Sequence, residues 1–594
     1  MCGINVIIGT KKQRAIQSMM QATTHRGPDH SSFCQVSDNL FMAGNRLKIL
    51  DLSEMANQPL WTKEKDAVVV WNGALYNYQD LRNELLELGH QFTSNSDSEV
   101  LLYWLKLHGA NGIPSLKGMF SLAFADLRQK KLLVARDPSG EKPLYYAQSN
   151  ETWYFSSEAK AIRQVLSDIS EINTQQFPYY FFLRHAHPEE SFFENIHQFP
   201  IGTSWAIDLE NGEKITGPWT PKLIQGVLPK VDSLTESLKD AVLKNFHAER
   251  SVGMMLSGGA DSSLIYALWY EETGEPLPSY TITFPNNFRN KYRDPDYVRK
   301  LNKQYPLLQR PVEITLEKVQ ANWDEYIKSV DQPIGDSAGF LTWMLAKEAA
   351  KDIKVLISGA GADELFAGYN RHTAFATYLK NPQLWLNLRK LALHHFLPSS
   401  AFKFMQSLSE DPAGTFIQMA ALDKLPSDLL HELKQQYPKF EGELKRALEW
   451  DRTWYLVNDV LKIHDNACMA HGIEGRAPFL DHEMISIFHS MTESQHLEQL
   501  GKKWIKSALN ERGLRFISNR KKLGFGLPLA EWISDKAFQN WVFPPIIQMA
   551  KEWGTHFPAE IRTLATAPYK AKGRQFLQVW NLFLLASWLE QQKL

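Results

Sequence analysis

Cys2 is the residue whose position most invites chemistry, because its small side chain would let Met1 be removed and leave a thiol and an α-amine on one residue. An α-amine with a pKa of about 8 can accept the proton of a thiol of similar acidity as sulfur attacks an acyl carbon, so no histidine is required. A second constellation is Gly253-Met-Met-Leu256-Ser257-Gly258-Gly259-Ala-Asp261-Ser262-Ser263, running from an apolar stretch into a helical one. Its glycines let backbone approach an anion closely, the helix start offers unpaired N–H groups, and Ser257 and Ser262 add donors. No lysine follows the glycines, which suits attack at the α-phosphorus of a nucleotide rather than γ-phosphoryl transfer. Each feature has a plainer reading: a second-position cysteine can be chance, and a Gly-Gly pair can be an ordinary turn.

The elements that must position these residues divide the chain. The first third reads as short strands at Ile4–Ile8, Leu40–Leu47, Ala67–Trp71, Phe120–Asp126, Lys131–Arg136 and Trp153–Ser156, with helices at Lys12–Ala22, Gln79–Leu88 and Asp97–His108. Strand-like Val252–Leu256, Ser279–Phe284 and Lys354–Ile357 then alternate with helical segments, as in a parallel sheet covered by helices. From Arg371 onward almost everything reads as helix, ending in an apolar face with Phe576, Val579, Trp580, Phe583, Leu584 and Trp588 suited to core packing. The mixed Gly, Pro and polar stretch 208–230 is placed as a linker.

At 594 residues the chain exceeds what one hydrophobic core organises, so at least two domains are expected. Apolar residues at 44% and charged residues at 22% are ordinary for a folded soluble chain, and a net charge of -1 supplies no global field for nucleic acid or acidic lipid. Three cysteines, Cys2, Cys34 and Cys468, are too few for a disulfide framework and lack zinc-site spacing. With no basic leader and no long apolar run, the expectation is a cytoplasmic protein acting on small molecules, without nucleic acid or membrane partners.

Met1-Cys-Gly-Ile4, His25-Arg-Gly-Pro-Asp29, Arg46-Leu-Lys-Ile-Leu-Asp51, Asn57-Gln-Pro59, Trp71-Asn-Gly73, Ser96-Asp97, Arg136-Asp137 and Lys142-Pro-Leu-Tyr-Tyr146 occur in one order over the first two hundred residues. Together they resemble an N-terminal-nucleophile glutaminase. The loop at Ser257 is joined by Ile357-Ser358-Gly359-Ala360-Gly361-Ala-Asp363-Glu-Leu-Phe-Ala-Gly-Tyr369, by Asp465 to Asp481 with Met469, Glu474 and Arg476, and by Arg520-Lys-Lys522-Leu-Gly-Phe525. With these, nearly the whole chain resembles the glutamine-hydrolysing asparagine synthetases.

That resemblance implies an α+β N-terminal-nucleophile glutaminase, an αββα sandwich, over 2–207, followed after the linker by an α/β adenine-nucleotide alpha-hydrolase-like synthetase domain with many helices over 231–594. It implies Cys2 as nucleophile, Asn72 and Gly73 as the oxyanion hole, and Lys522 facing the phosphates and the acyl-adenylate. Glutamine would be held by Arg46, Asn72 and Asp97, and ATP by Leu256, Ser257, Gly258, Gly259, Asp261, Ser262, Ile282, Ser358 and Gly359. Asp261 and Asp363 would hold Mg2+. The implied reaction is ATP-dependent amidation of aspartate to asparagine through β-aspartyl-AMP, with release of AMP and pyrophosphate. A homodimer is an option.

Two carboxylates of the family pattern are absent. Ala74 stands where Asn-Gly-Glu is usual, which predicts a weaker or remodelled glutamine pocket, and Ala360 stands where Ser-Gly-Glu-Gly or Ser-Gly-Asp-Gly is usual, which puts the amidated acid or the proton acceptor in question. An amidotransferase of the same architecture acting on another carboxylic acid, such as a sugar acid or peptide side chain, and a non-catalytic regulatory relative are the alternatives. Asp331-Gln-Pro-Ile-Gly-Asp336-Ser337 is read as part of the acid pocket.

Overall fold

The computed structural model describes residues 2–9, 12–166, 169–218, 231–285, 288, 292–390, 399–521 and 524–593. Twelve strands form the first unit: β1 (Cys2–Ile8), β2 (His30–Ser37), β3 (Leu40–Arg46), β4 (Leu60–Trp61), β5 (Ala67–Leu75), β6 (Gly118–Asp126), β7 (Lys131–Arg136), β8 (Tyr145–Ser149), β9 (Thr152–Ser156), β10 (His197–Gln198), β11 (Thr203–Asp208) and β12 (Lys214–Pro218). They pair into two six-stranded sheets, ordered β10-β8-β9-β1-β3-β2 and β12-β11-β7-β6-β5-β4.

Alternation along the strands explains the layering. Ile4, Val6 and Ile8 of β1 meet Val68, Val70, Ala123 and Val134 of the other sheet in one core, whereas Ile7 faces Ile16 and Met19 of the helix Gln13–Ala22. On β5 the residues between them, Val69, Trp71 and Leu75, pack on Leu81 and Leu85 of the helix Tyr78–Glu87 and on Leu101 and Leu105 of the helix Asp97–His108. A period of two thus sends one face of each sheet to its partner and the other to helices, giving the αββα sandwich. The hairpin β11–β12 pairs within the second sheet, so residues up to Pro218 belong to it rather than to a linker beginning at 208; residues 219–230 lie outside the described ones.

The second unit is built on a five-stranded sheet: β13 (Val252–Met255), β14 (Pro278–Thr283), β15 (Leu308–Glu313), β16 (Val355–Ile357) and β17 (Glu474–Arg476), ordered β15-β14-β13-β16-β17. Every pairing in it is parallel. The chain runs outward from β13 to one edge and returns to β16 on the other side, so a crevice opens at the carboxyl ends of β13 and β16 where the order reverses. β17 interrupts a region read from sequence as helical. Three residues are too few to show alternation, and its pairing with β16 is what makes it a strand.

Helices cover this sheet and join it to the sandwich. Phe576–Gln591 buries Val579, Trp580, Phe583, Leu584 and Trp588 in a core shared with Phe177, Tyr180 and Phe192 of the first unit, and Tyr180 Oη donates to the carbonyl of Asn581 at 2.7 Å. The apolar face of the last helix therefore binds the two units together.

Candidate active sites

Cys2 opens β1 in the middle of its sheet and is 6% exposed. Its backbone N–H donates to Asn72 Oδ1 at 3.0 Å, and Asn72 Nδ2 is fully buried with no hydrogen-bond partner. A buried donor without a partner beside a thiol is of the kind that can receive a negative oxygen. Gly73 follows Asn72 on β5, and a Cβ there would lie 2.1 Å from the carbonyl oxygen of Met119, so close packing on β6 already requires glycine. Burial raises the Cys2 thiol pKa, and the Arg46 guanidinium opposes that shift.

Arg46 is the ladder partner of Cys2. Its guanidinium donates to Ser53 O at 2.7 Å, Asn57 Oδ1 at 2.9 Å, Leu50 O at 3.3 Å and to the carbonyl of Asp51, which holds the 50–57 loop against the pocket. Asp97 lies at the start of its helix, where Ser96 Oγ accepts from Glu99 N, and Asp97 Oδ2 accepts from Leu75 N at 3.3 Å. Burial pushes the Asp97 carboxyl up to about 6. Gln58, read only as part of a motif, touches the Cys2 side chain: its Oε1 accepts from Trp71 N at 2.6 Å and its Nε2 approaches Cys2 Sγ at 3.4 Å. Ala74 is buried on β5, beside Leu75, whose N–H the Asp97 carboxylate accepts.

The second site lies in the crevice. Gly258 takes φ +63, and Gly259 caps the helix Ala260–Thr273 without any side-chain acceptor, leaving its first N–H groups to face the loop. Ser257 Oγ accepts from Gly259 N at 3.2 Å and lies 3.4 Å from Ser262 Oγ. Leu256 N donates to Tyr280 O at 2.9 Å, and Ile282 follows near the end of β14, one strand away. Ser358 N donates to Arg476 O at 2.9 Å, and a Cβ on Gly359 would lie 3.1 Å from Asp261 Cβ, so the two loops touch. Leu256 to Ser262, Ile282, Ser358, Gly359 and Asp363 are thereby gathered at one end of the sheet. Lys522 lies outside the described residues; Arg520, two positions earlier, donates to Ser257 O at 2.9 Å and joins that basic turn to the loop.

Asp261 and Asp363 converge on one ammonium: Lys502 Nζ lies 2.7 Å from Asp261 Oδ2 and 2.7 Å from Asp363 Oδ1. Burial disfavours the charged lysine, but the two carboxylates outweigh it and raise its pKa. Lys502 holds a left-handed backbone, φ 60, and the preceding Gly501 N donates to Ala367 O at 2.9 Å, Ala367 being left-handed as well. A Cβ on Gly368 would fall 2.0 Å from Asp363 Oδ1 and 2.8 Å from Lys502 Cε, which explains the glycine. Lys502 was not singled out from sequence, since Gly501-Lys-Lys503 reads as a solvated helix start. Two carboxylates that converge on a single cation fit a hard divalent ion.

Between the sites runs a polar seam. Arg26, with no exposed surface, donates to Glu158 at 3.1 Å and to Asp465 of the second unit at 2.8 Å, and its Nε lies 3.5 Å from Cys2 O. Lys142 Nζ donates to Gly475 O at 3.2 Å. Asp331 accepts from Ala159 N at 3.1 Å and Lys160 N at 2.9 Å, and Gln332 Oε1 from Phe192 N at 2.8 Å. Asp331 and Gln332 thus belong to the seam rather than to an acid pocket; Asp336 pairs with Arg184 at 3.2 Å.

A buried cysteine that opens the first strand of an antiparallel sandwich and a doubly wound sheet with a glycine-rich loop at its switch point are the features of a glutamine amidotransferase fused to a nucleotide-binding ligase. The family model of the glutamine amidotransferase domain matches residues 1–220 and that of asparagine synthase matches residues 233–590, so the chain belongs to the asparagine synthase family. It is 26% identical over 554 residues to asparagine synthetase [glutamine-hydrolyzing] 1 of Bacillus subtilis, covering 89% of this chain and 86% of that protein. Over 592 residues it is 26% identical to a putative asparagine synthetase [glutamine-hydrolyzing] of Mycobacterium bovis, covering 91% of this chain and 88% of that protein. The chain is thus an ATP-dependent ligase that uses glutamine as amide donor.

Proposed function

We propose that this protein converts aspartate to asparagine, with Cys2 freeing ammonia from glutamine in the sandwich and the second unit activating the acid with ATP. In this reading the Cys2 sulfur attacks the glutamine amide carbon as the α-amine, exposed by loss of Met1, takes the thiol proton and delivers it to departing ammonia. Asn72 Nδ2 and the Gly73 N–H receive the oxyanion, Arg46 the substrate carboxylate and Asp97 the substrate ammonium. Water then hydrolyses the γ-glutamyl thioester. The observation that carries this half is the partnerless Asn72 Nδ2 beside Cys2.

In the second unit the loops at Ser257 and Ser358 hold ATP so that a carboxylate oxygen of the acid attacks the α-phosphorus and pyrophosphate leaves. Ammonia attacks the acyl carbon, loses a proton, and AMP departs. Asp261 and Asp363 would hold magnesium, which when bound supplies charge neutralisation for the phosphates. Lys502 then has phosphate oxygens within its chemistry as well as the two carboxylates, and Lys522 is assigned to the phosphates with it. One chain carries both sites because a seam between them keeps ammonia at high effective concentration.

The alanine at position 360 supports a second reading, amidation of a different carboxylic acid. Pyrophosphate release with ATP, Mg2+, glutamine and either aspartate or a panel of acids, with product masses, separates them. Aspartate-dependent release of asparagine supports the first, and release only with another acid the second. Cys2→Ala is expected to abolish the glutamine-dependent reaction, by more than about a thousandfold, while free ammonia still serves. Pyrophosphate release by no acid despite bound ATP would overturn both readings.

A further inference from the structure

The missing carboxylate at Ala74 has a neighbour from the other unit. Val68 and Val70 of β5 face the sandwich interior, so Asn72, Ala74 and then Tyr76 follow on the same face. Asn72 holds Cys2, and the Tyr76 hydroxyl, buried beyond Ala74, sits in the fields of Arg476 and Glu474. Ala74 therefore lies on the face that runs from Asn72 toward Tyr76, whose hydroxyl feels the charged pair on β17.

Glu474 is 1% exposed and is held by Arg476 Nε at 2.5 Å, while Arg476 Nη1 donates to Asn245 O at 2.7 Å and His247 O at 2.8 Å. β17 and the helix and turn that lead into it are pressed against the glutaminase by several contacts. Lys142 reaches Gly475 O, a Cβ on Gly472 would lie 3.1 Å from Pro28 Cγ, and Arg26 touches both Cys2 O and Asp465. The negative charge of Glu474 bears on the Cys2 thiol and on the Asp97 carboxyl, raising both. Burial works against the charge of Glu474 itself, but the chain's amino terminus, Arg476 and Lys142, in that order, hold it down to about 2, as a carboxylate.

We propose that Glu474 supplies, across the domain seam, the carboxylate that Ala74 withholds, so that the α-ammonium of glutamine is held by Asp97 from one unit and Glu474 from the other. A cation seated there relieves the repulsion that Glu474 exerts on Asp97, and an ammonium on a short carbon stem is such a cation. The inference rests on the glutaminase reading above. It makes the glutamine pocket complete only in the docked molecule.

The test uses the full-length enzyme and two substrates, glutamine and glutaramate, the same amide without the α-amine. Wild type is expected to prefer glutamine strongly, because a site built for a charged donor rejects an analogue lacking it. Glu474→Gln is expected to raise KM for glutamine at least about tenfold while changing that for glutaramate by less than about twofold. Ala74→Glu in the Glu474→Gln background is expected to restore the preference. If Glu474→Gln alters both substrates in parallel, or neither, the inference is overturned and Glu474 is only the partner of Arg476. Hydrolysis of neither substrate by wild type would overturn the glutaminase reading, and this inference with it.

Discussion

Asp97, proposed to hold the glutamine ammonium, is kept at a cost in stability. Its carboxyl is pushed from 3.8 to about 6 chiefly by burial, so the folded protein holds a proton there that the unfolded chain has already released. Below pH 4 both states are protonated and nothing is lost; as pH rises through about 6 the folded state is penalised by about 3 kcal/mol. Asp97→Asn is therefore expected to raise the Tm at pH 8, with little gain at pH 4, and to raise KM for glutamine more than about tenfold. Calorimetry at the two pH values and glutaminase kinetics check the pair of effects. In wild type, glutamine KM is expected to climb as pH falls through about 6, where the carboxylate that would hold the ammonium is protonated.

At the scale of elements, the crevice depends on loops whose backbone is committed to particular conformations. Gly258 at φ +63 and Gly361 at φ +91 occupy left-handed conformations, and added Cβ atoms would meet Tyr297 Cβ at 2.7 Å and Leu480 Cδ2 at 2.4 Å. Lys502, at φ 60, accepts the same strain to deliver its ammonium to Asp261 and Asp363. Lys502→Met removes the cation on which the two carboxylates converge. Breaking a buried charge cluster in this way costs about 3–5 kcal/mol, so a lower Tm is expected, regained in part when ATP and magnesium are added. A Tm unchanged by the substitution would remove Lys502 from any electrostatic role.

Across the whole molecule, the proposed passage of ammonia between the two sites makes the buried seam the feature to test. Arg26 lies fully buried between Glu158 and Asp465, and it also approaches the carbonyl of Cys2. Arg26→Met leaves those carboxylates without their shared guanidinium, an expected loss of about 3–5 kcal/mol. It is further expected to loosen the units so that ammonia escapes. Glutamate formed per amide product, near one in wild type, would then exceed one, and measuring both products in the same reaction checks this.

The sequence by itself determined what short spacing can encode. Short strands such as Ile4–Ile8, Ala67–Trp71 and Phe120–Asp126 marked a sheet-rich first third, the sandwich being implied by the resemblance, and Ser257 to Ser263 was read as a phosphate loop, because strands and loop donors depend on residues a few positions apart. It also announced the losses at Ala74 and Ala360. Only the tertiary structure brought Lys502 to carboxylates 241 and 139 residues away and Arg26 to Asp465 at a separation of 439. It alone turned Asp331 from a supposed pocket residue into a cap on the helix Ala159–Arg163 and made a strand of the three residues Glu474–Arg476. Such partners share no local period. They meet through the packing of sheets and helices, so a single chain read in order carries no trace of which charge will face which.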